Sequence, residues 1–239
     1  MDTVIRVFDR RMLPNLYLSK LMDERSTGMS INYPAWGLLY YSLLCMLPDE
    51  DNVIVETGTN HGTSTIILAQ ALIDRNVRGH VYSFELDPQN AELARKHVNE
   101  AGVGHRVTIT VGNSLQTLSQ VADKDVIFAF LDAGHTRLAV SSEVALLLPA
   151  VRRAGGKFYF DNTTAGGVAQ FLNELRQKTG GAGLVEFTNC SIGPAGNAIW
   201  EPTPLTVASA VPGEATVSLP NAAQGGKAHA RAIHAVLDG

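Results

Sequence analysis

The fold of this chain is decided by residues 53–64, which read Val53-Ile54-Val55-Glu56-Thr57-Gly58-Thr59-Asn60-His61-Gly62-Thr63-Ser64. An apolar run ends in the carboxylate of Glu56, and Gly58 and Gly62 then precede a segment whose apolar residues recur with the period of a helix. This pattern predicts a buried parallel strand, a tight turn and a helix N-terminus, which is where α/β folds commonly bind a small ligand. The dinucleotide fingerprint G-x-G-x-x-G fails, because Asn60 and Thr63 hold its other two positions.

Composition limits the classes of protein to consider. The chain has 239 residues, of which 45% are hydrophobic, and this is ordinary for a globular protein with a sizeable core. Its net charge is −4, from 19 basic and 23 acidic residues, and the basic residues form no block. We therefore expect no nucleic-acid partner.

Cysteines and terminal sequence suggest a cellular compartment. Cys45 and Cys190 lie in apolar sequence, so we interpret both as core residues rather than a disulfide pair. No basic region followed by an apolar core begins the chain, and the most apolar segment, residues 35–47, is too short to span a bilayer. These patterns predict a cytoplasmic protein with no membrane partner.

Strands and helices alternate from residue 53 onward. Predicted strands are residues 53–55, 80–84, 107–111, 126–131, 157–160, 184–189 and 197–200, and predicted helices are 63–75, 88–101, 114–120, 137–149 and 166–179. This order predicts an α/β protein with a Rossmann-like, doubly wound, mostly parallel sheet of seven strands. Residues 191–196 are too few for a crossover helix, so the last strand should be antiparallel.

Three domain segments follow from this reading. Residues 1–50 are rich in Leu, Tyr and Met and predict an N-terminal helical cap, whose aromatic residues either pack on the sheet or cover a substrate. Residues 51–202 form the predicted ligand-binding domain. After Pro202 the composition shifts to Ala, Gly, Pro, Ser and Thr, so residues 203–239 are predicted to be a flexible tail.

The Glu56-x-Gly58-x-x-x-Gly62 pattern resembles the first motif of the class I methyltransferases, which bind S-adenosylmethionine. The glycines would let backbone approach that cofactor, and the free N–H groups at the helix start suit its carboxylate. Glu56 would hold its ammonium group. The resemblance implies that Asn60 and Ser64 also contact the cofactor, and the alternative is a glycine-rich turn that only packs.

Further cofactor contacts are predicted after the second and third strands. Glu85 follows the last large apolar residue of its strand and is expected to accept both ribose hydroxyls, whereas Asp87 more simply caps the helix that begins at Pro88. Asn113 and Ser114 offer polar side chains to the adenine edge. Both residue types are also common helix caps.

Oxygen ligands end two adjacent predicted strands. Asp132 ends the fourth strand, and Asp161 and Asn162 end the fifth, so the three should lie together as hard ligands for Mg²⁺ or a similar divalent ion. Here the chain resembles the cation-dependent O-methyltransferases, the group of the catechol and caffeoyl-CoA enzymes. Asp132 would also border the cofactor. The alternatives are a cofactor-side Asp132 without metal and an Asp161-Asn162 pair that only begins a loop.

One departure from that group concerns the general base. Those enzymes usually place a lysine shortly after the fourth-strand aspartate, where this chain has His135. Leu131-Asp132-Ala133-Gly134-His135 is nearer to a bacterial branch that methylates sugars and other natural-product hydroxyls. His135 is therefore the candidate catalytic base, with a structural role as the alternative.

These patterns predict an S-adenosylmethionine-dependent O-methyltransferase that methylates a hydroxyl of a small molecule with the help of Mg²⁺. Two alternatives stay open. The first is a metal-independent methyltransferase acting on nitrogen or on a macromolecule, and the second is a cofactor-binding protein without catalysis. Because helical N-terminal additions often build dimers, we expect a homo-oligomer.

Overall fold

Residues 35–187 and 196–202 are described by the computed structural model of the protein. They form a seven-stranded sheet in the order β3-β2-β1-β4-β5-β7-β6. The strands are β1 Asn52–Thr57, β2 Gly79–Glu85, β3 Val107–Val111, β4 Val126–Leu131, β5 Lys157–Phe160, β6 Leu184–Phe187 and β7 Asn197–Trp200. The first five pair in parallel, and β7 lies antiparallel between β5 and β6.

Helices connect the strands. They are α1 Ala35–Met46, α2 Thr63–Asp74, α3 Pro88–Glu100, α4 Ser114–Thr117, α5 Arg137–Ala154 and α6 Gly166–Thr179. Short 3-10 turns occupy Gly104–Arg106 and Leu118–Val121. Within the described ranges, no helix has both the length and the apolar character needed to cross a bilayer.

Two hydrophobic cores lie on opposite faces of the sheet. In β4, Phe128 and Phe130 point into the core shared with α1 and α2, while Ala129 and Leu131 point into the core shared with α5 and α6. All four are buried. The alternation follows from the period-2 geometry of a strand, and an apolar run on both faces is what a helix-covered parallel sheet requires. The predicted doubly wound, mostly parallel fold is confirmed.

Helix and strand boundaries agree with the sequence prediction to within a few residues, with one clear exception. The sequence predicts that α5 ends at Pro149, but the helix continues to Ala154 and is closed by Gly155 in the left-handed conformation. Pro149 therefore lies inside the helix. Its exposed position leaves the ring facing away from the sheet.

Only part of the predicted N-terminal cap can be compared with the structure. Helix α1 packs on α2, where the hydroxyl of Tyr40 donates to Asp74 Oδ2 at 2.5 Å. Cys45 is exposed, so its interpretation as a core residue is wrong: it lies on the side of α1 that faces away from the core. Residues 1–34, Cys190 and the predicted tail at 203–239 lie outside the described residues.

Candidate functional site

The loop between β1 and α2 is held in an unusual backbone conformation. Gly58, Asn60 and Gly62 have φ values of 87°, 48° and 85°, the left-handed region that glycine adopts without strain. A Cβ on Gly58 would stand 2.4 Å from the carbonyl oxygen of Asp132, and a Cβ on Gly62 would stand 3.1 Å from the Cβ of Ala94. The glycines thus leave room for neighbouring protein segments, in addition to any space they leave for a ligand.

Glu85 at the end of β2 connects this loop to the next one. Its Oε2 accepts from the Asn60 amide at 2.6 Å and its Oε1 accepts from the Asp87 amide at 2.9 Å. The Glu85 carbonyl accepts from the Gly112 amide at 2.7 Å, so the loop after β3 begins beside it. A carboxylate has about four acceptor positions, so Glu85 retains capacity to accept from a ligand.

Glu56 is fully buried beneath the same loop. Its Oε2 accepts from the hydroxyls of Thr65 and Ser83, each at 2.5 Å, and Ser83 also shares a hydrogen bond with Thr59. Burial raises the pKa of Glu56 to about 7, although the hydroxyls of Ser64, Ser83 and Thr65 oppose that shift. In the described part of the chain, Oε1 of Glu56 is buried without a hydrogen-bond partner. Such an atom is costly unless a ligand satisfies it.

The loop after β3 leads to a second buried carboxylate. Asn113 caps α4, because its Oδ1 accepts from the Leu115 amide at 3.0 Å. Ser114 donates to Oε1 of Glu143 at 2.6 Å, and Thr57 donates to Oε2 of Glu143 at 3.0 Å. Burial raises the pKa of Glu143 to about 7. From its place in the predicted helix 137–149 we expect Glu143 to be a charge on the helix surface. That expectation is wrong, because the residue is only 1% exposed.

The side chains after β4 and β5 do meet, as the sequence predicts. Asn162 donates from Nδ2 to Asp132 Oδ1 at 3.0 Å, and His135 Nε2 lies 3.4 Å from the same oxygen. Asn162 Nδ2 and His135 Nε2 are 3.2 Å apart. The hydrogen bond to Asp132 raises the pKa of His135 above its ordinary value. Asn162 has a φ of 53°, which turns the chain sharply after β5.

Asp161 adds a second carboxylate to this cluster. Its Oδ1 accepts from Asn197 Nδ2 of β7 at 2.6 Å. Burial, followed by the negative charge of Asp132, raises the pKa of Asp161 to about 7. Burial also raises the pKa of Asp132. Two neighbouring carboxylates in a buried setting repel each other, and a cation would relieve that repulsion.

Gly167 lets the start of α6 lie against the loop that carries His135. A Cβ on Gly167, in the first turn of α6, would stand 2.3 Å from the carbonyl oxygen of His135 and 2.4 Å from the amide of Arg137. Arg137 in turn donates to both carboxylate oxygens of Glu174 on α6, at 2.7 Å each. The loop and the start of α6 are therefore in direct contact.

The structure brings the twelve predicted site residues to the carboxyl ends of neighbouring strands. Glu56, Gly58, Asn60, Gly62, Ser64, Glu85, Asn113 and Ser114 surround the loops after β1, β2 and β3, and Asp132, His135, Asp161 and Asn162 follow β4 and β5. Within residues 35–187 and 196–202, no three His, Cys, Asp or Glu side chains converge as a metal-binding cluster. The predicted set uses two carboxylates and an amide.

Several supporting residues escape prediction from the sequence. They are Thr57, Thr65, Ser83, Glu143 and Asn197. For Glu143 a signal was available, because Val140, Val144 and Leu147 are its helical neighbours and all three are buried. For Asn197 the sequence offered no signal, because its partner Asp161 is 36 positions away and the contact depends on strand order.

Comparison with known proteins identifies the family. A family model described as a methyltransferase domain matches residues 55–163. A catechol O-methyltransferase of Mycobacterium tuberculosis is 34% identical over 128 residues, which cover 52% of this chain and 54% of the relative. The chain thus spans about half the length of that relative.

A mammalian relative is covered more fully. The catechol O-methyltransferase of Sus scrofa is 31% identical over 146 residues, which cover 59% of this chain and 73% of the relative. Among solved structures, the O-methyltransferase TomG of Streptomyces achromogenes, in complex with SAM, superposes with a TM-score of 0.60 at 22% identity and covers 77% of this chain and 89% of TomG. That likeness shows the fold alone. The match to the Sus scrofa relative, at 31% identity and 73% of its length, places the chain in the class I S-adenosylmethionine-dependent methyltransferase family, in the group that includes the catechol O-methyltransferases.

Proposed function

We propose that this protein transfers the methyl group of S-adenosylmethionine to a hydroxyl of a small molecule, with the help of a divalent cation. The observation that carries the proposal is the contact between Gly58 and the backbone of Asp132. It joins the predicted cofactor loop directly to the residue that begins the predicted metal cluster. A bound cofactor and a bound acceptor would then be neighbours, as in-line methyl transfer requires.

The cofactor half of the site fits S-adenosylmethionine. The buried, unpartnered Oε1 of Glu56 suits the ammonium group of the methionine part. Glu85 has acceptor capacity for the ribose hydroxyls and is already held by the Asn60 amide. Gly62 ends the loop at the N-terminus of α2, whose first amide groups suit a carboxylate. When bound, the cofactor supplies an activated methyl group on a sulfonium.

The metal half of the site fits a hard divalent cation such as Mg²⁺. Asp132, Asp161 and Asn162 would hold it, after a half-turn of the Asn162 amide that presents its oxygen instead of its nitrogen. Burial, followed by the negative charge of Asp132, raises the pKa of Asp161, and the closeness of these two carboxylates supports this assignment. Bound there, the ion would lower the pKa of an acceptor hydroxyl.

His135 is the residue that we assign to proton transfer. Its side chain is 46% exposed, so it borders both solvent and the Asp132 carboxylate. Asp132 orients the ring through Nε2 and stabilises its protonated form. His135 would accept the proton of the acceptor hydroxyl and release it to water.

The acceptor class follows from the hard-ligand chemistry and from the relatives. Both relatives described above carry the name catechol O-methyltransferase, and a catechol or a sugar diol presents two adjacent oxygens to one cation. We propose a small molecule with a hydroxyl of this kind, phenolic or sugar-like. A cytoplasmic location and a homo-oligomeric state remain predictions.

The test compares the wild-type protein with Asp161→Asn. Methyl transfer from isotope-labelled S-adenosylmethionine is measured on a panel of catechols and polyhydroxylated natural products, with Mg²⁺ and with chelator. We expect turnover only with Mg²⁺, and a loss of about 100-fold or more in Asp161→Asn with little change in the affinity for S-adenosylhomocysteine. The exposed Asp125→Asn is the matched control, because Asp125 only pairs with Arg153 on the surface.

Other outcomes identify the rival functions. Equal turnover in chelator would remove the metal from the reaction. Methylation of amines or of proteins in chelator would favour the metal-independent methyltransferase. Binding of S-adenosylhomocysteine without turnover on any acceptor would support a non-catalytic binding protein. If a His135→Asn variant turned over at the wild-type rate, the role of His135 would be structural rather than catalytic.

A further inference from the structure

We infer that Glu143 is a positioning residue that selects adenine in the cofactor, by fixing the hydroxyl of Ser114 as a hydrogen-bond acceptor. The inference rests on the proposed function, because it concerns the adenine end of S-adenosylmethionine. It adds a residue on α5 to a predicted cofactor site otherwise built from the segments that follow β1, β2, β3 and β4.

Glu143 is buried where three segments meet. Its residue is 1% exposed, and its two oxygens accept from Thr57 at the end of β1 and from Ser114 at the start of α4. Ser114 follows Gly112, whose amide donates to the Glu85 carbonyl. The carboxylate therefore stands behind the loop that we expect to border the adenine. That loop begins beside Glu85, the residue expected to bind the ribose.

The direction of the Ser114 hydrogen bond decides what this serine can offer a ligand. A hydroxyl has one proton and two acceptor positions, and the Ser114 proton is used on Glu143 Oε1 at 2.6 Å. The second oxygen of Glu143 accepts from Thr57, so the ionised carboxylate, above its pKa of about 7, holds both hydroxyl protons. Toward the cofactor, Ser114 can then only accept.

We expect Ser114 to face the C6 edge of the base, and there an accepting serine discriminates between purines. Adenine carries an amino group, a donor, on C6, whereas hypoxanthine carries a carbonyl, an acceptor, at the same position. Two acceptors facing each other leave both unsatisfied, which costs more than a missing contact. Without Glu143, the Ser114 hydroxyl would turn freely and could donate to the carbonyl, so the preference for adenine would fall.

The experiment measures the affinities for S-adenosylhomocysteine and for its 6-oxo analogue, S-inosylhomocysteine, by calorimetry at pH 8.5, above the pKa of about 7 of Glu143, so that the carboxylate is ionised. We expect the wild-type protein to bind the adenosyl form about 10-fold or more tightly. In Glu143→Met and in Ser114→Ala the ratio should fall to about threefold or less, since Met has a similar size to Glu and removes the acceptor. A role of Glu143 in stability alone would weaken both affinities equally and leave the ratio unchanged.

Ser119→Ala is the matched control for Ser114→Ala. It removes a hydroxyl of the neighbouring 3-10 turn that donates to the Gln116 carbonyl, and it should keep the wild-type ratio. If Glu143→Met fails to fold, Ser114→Ala still decides, because a retained preference in that variant overturns the inference.

Failure of the inference is distinguishable from failure of the proposed function. A wild-type protein that binds S-adenosylhomocysteine without preferring it over the inosyl form overturns the inference and leaves methyl transfer standing. A wild-type protein that binds neither compound contradicts the proposed function itself.

Discussion

Gly58 shows how one residue without a side chain joins the two halves of the site. Its backbone is left-handed, at a φ of 87°, and it packs on the carbonyl of Asp132. Both properties exclude a Cβ, but for different reasons: the conformation strains any L-residue, and the contact leaves no volume. A comparison with a second left-handed glycine separates the two effects.

Gly58→Ala should lower the free energy of unfolding by about 3 kcal/mol or more and abolish S-adenosylhomocysteine binding, because strain and collision add. Gly102→Ala should cost only about 1–2 kcal/mol, since Gly102 has a φ of 75° and nothing within 4 Å of its added Cβ. Urea unfolding and calorimetry measure the two quantities. Equal losses in both variants would show that the collision with Asp132 does not matter.

The positions of the acidic residues at strand ends could be predicted from the sequence, whereas the burial of residues on the helices could not. Glu85, Asp132 and Asp161 follow apolar runs, so their location at the carboxyl edge is a consequence of parallel strand geometry. Glu143 and Cys45 were misjudged, because residue type suggests exposure for a glutamate and burial for a cysteine. In both cases the helical face, rather than the residue type, decides.

At the scale of elements, α5 departs most from expectation. Its predicted end at Pro149 follows the rule that proline removes a hydrogen bond and clashes with the carbonyl four residues earlier. The helix nevertheless runs to Ala154, because Val151 and Leu147 continue its buried face on the sheet. The free energy gained by packing this face outweighs the local cost of the proline. The sequence pattern alone does not show how large that gain is.

Pro149→Ala should therefore raise the free energy of unfolding by about 1–3 kcal/mol, since it restores the missing amide while Pro149 itself contributes little packing at its exposed position. Pro88→Ala is the matched control. Pro88 occupies the first helical position of α3, where its ring causes no loss, so we expect no stabilisation there. Thermal and urea unfolding of both variants check the difference, and a destabilised Pro149→Ala would contradict this account.

For the whole molecule, the buried carboxylates make stability depend on pH. Burial raises the pKa of Glu56 and of Glu143 to about 7, from ordinary values near 4.5. In the unfolded chain both groups ionise near their ordinary pKa. The folded state thus binds more protons between pH 4.5 and 7, and its stability falls as the pH rises through that window.

The cofactor-free protein should lose about 1–3 kcal/mol of unfolding free energy for each of these groups between pH 5 and pH 8. Asp161, whose pKa burial and the charge of Asp132 raise to about 7, adds to the same slope. Glu143→Gln should flatten the curve in part, because a neutral amide removes one of these contributions. Glu92→Gln, at a position whose side chain is 80% exposed, is the control and should leave the curve unchanged. Urea unfolding at four pH values measures the slopes, and a stability that rises with pH would contradict the prediction.

The sheet order could be predicted only as a class. Alternating strands and helices require a parallel sheet, and a short final connection requires an antiparallel last strand. The contact between Asp161 and Asn197 could not be predicted, because it depends on β7 inserting between β5 and β6. Local sequence patterns determine which helices and strands form. The pairing between distant segments determines which side chains meet in the site.

Gly167 limits how the methyl-acceptor specificity of this protein could be altered. Since no side chain fits between α6 and the peptide groups of His135 and Arg137, the two segments cannot be redesigned separately. A larger acceptor would require space that is opened by shifting the start of α6 and the histidine-bearing loop together. Randomising either one alone should yield mostly misfolded variants.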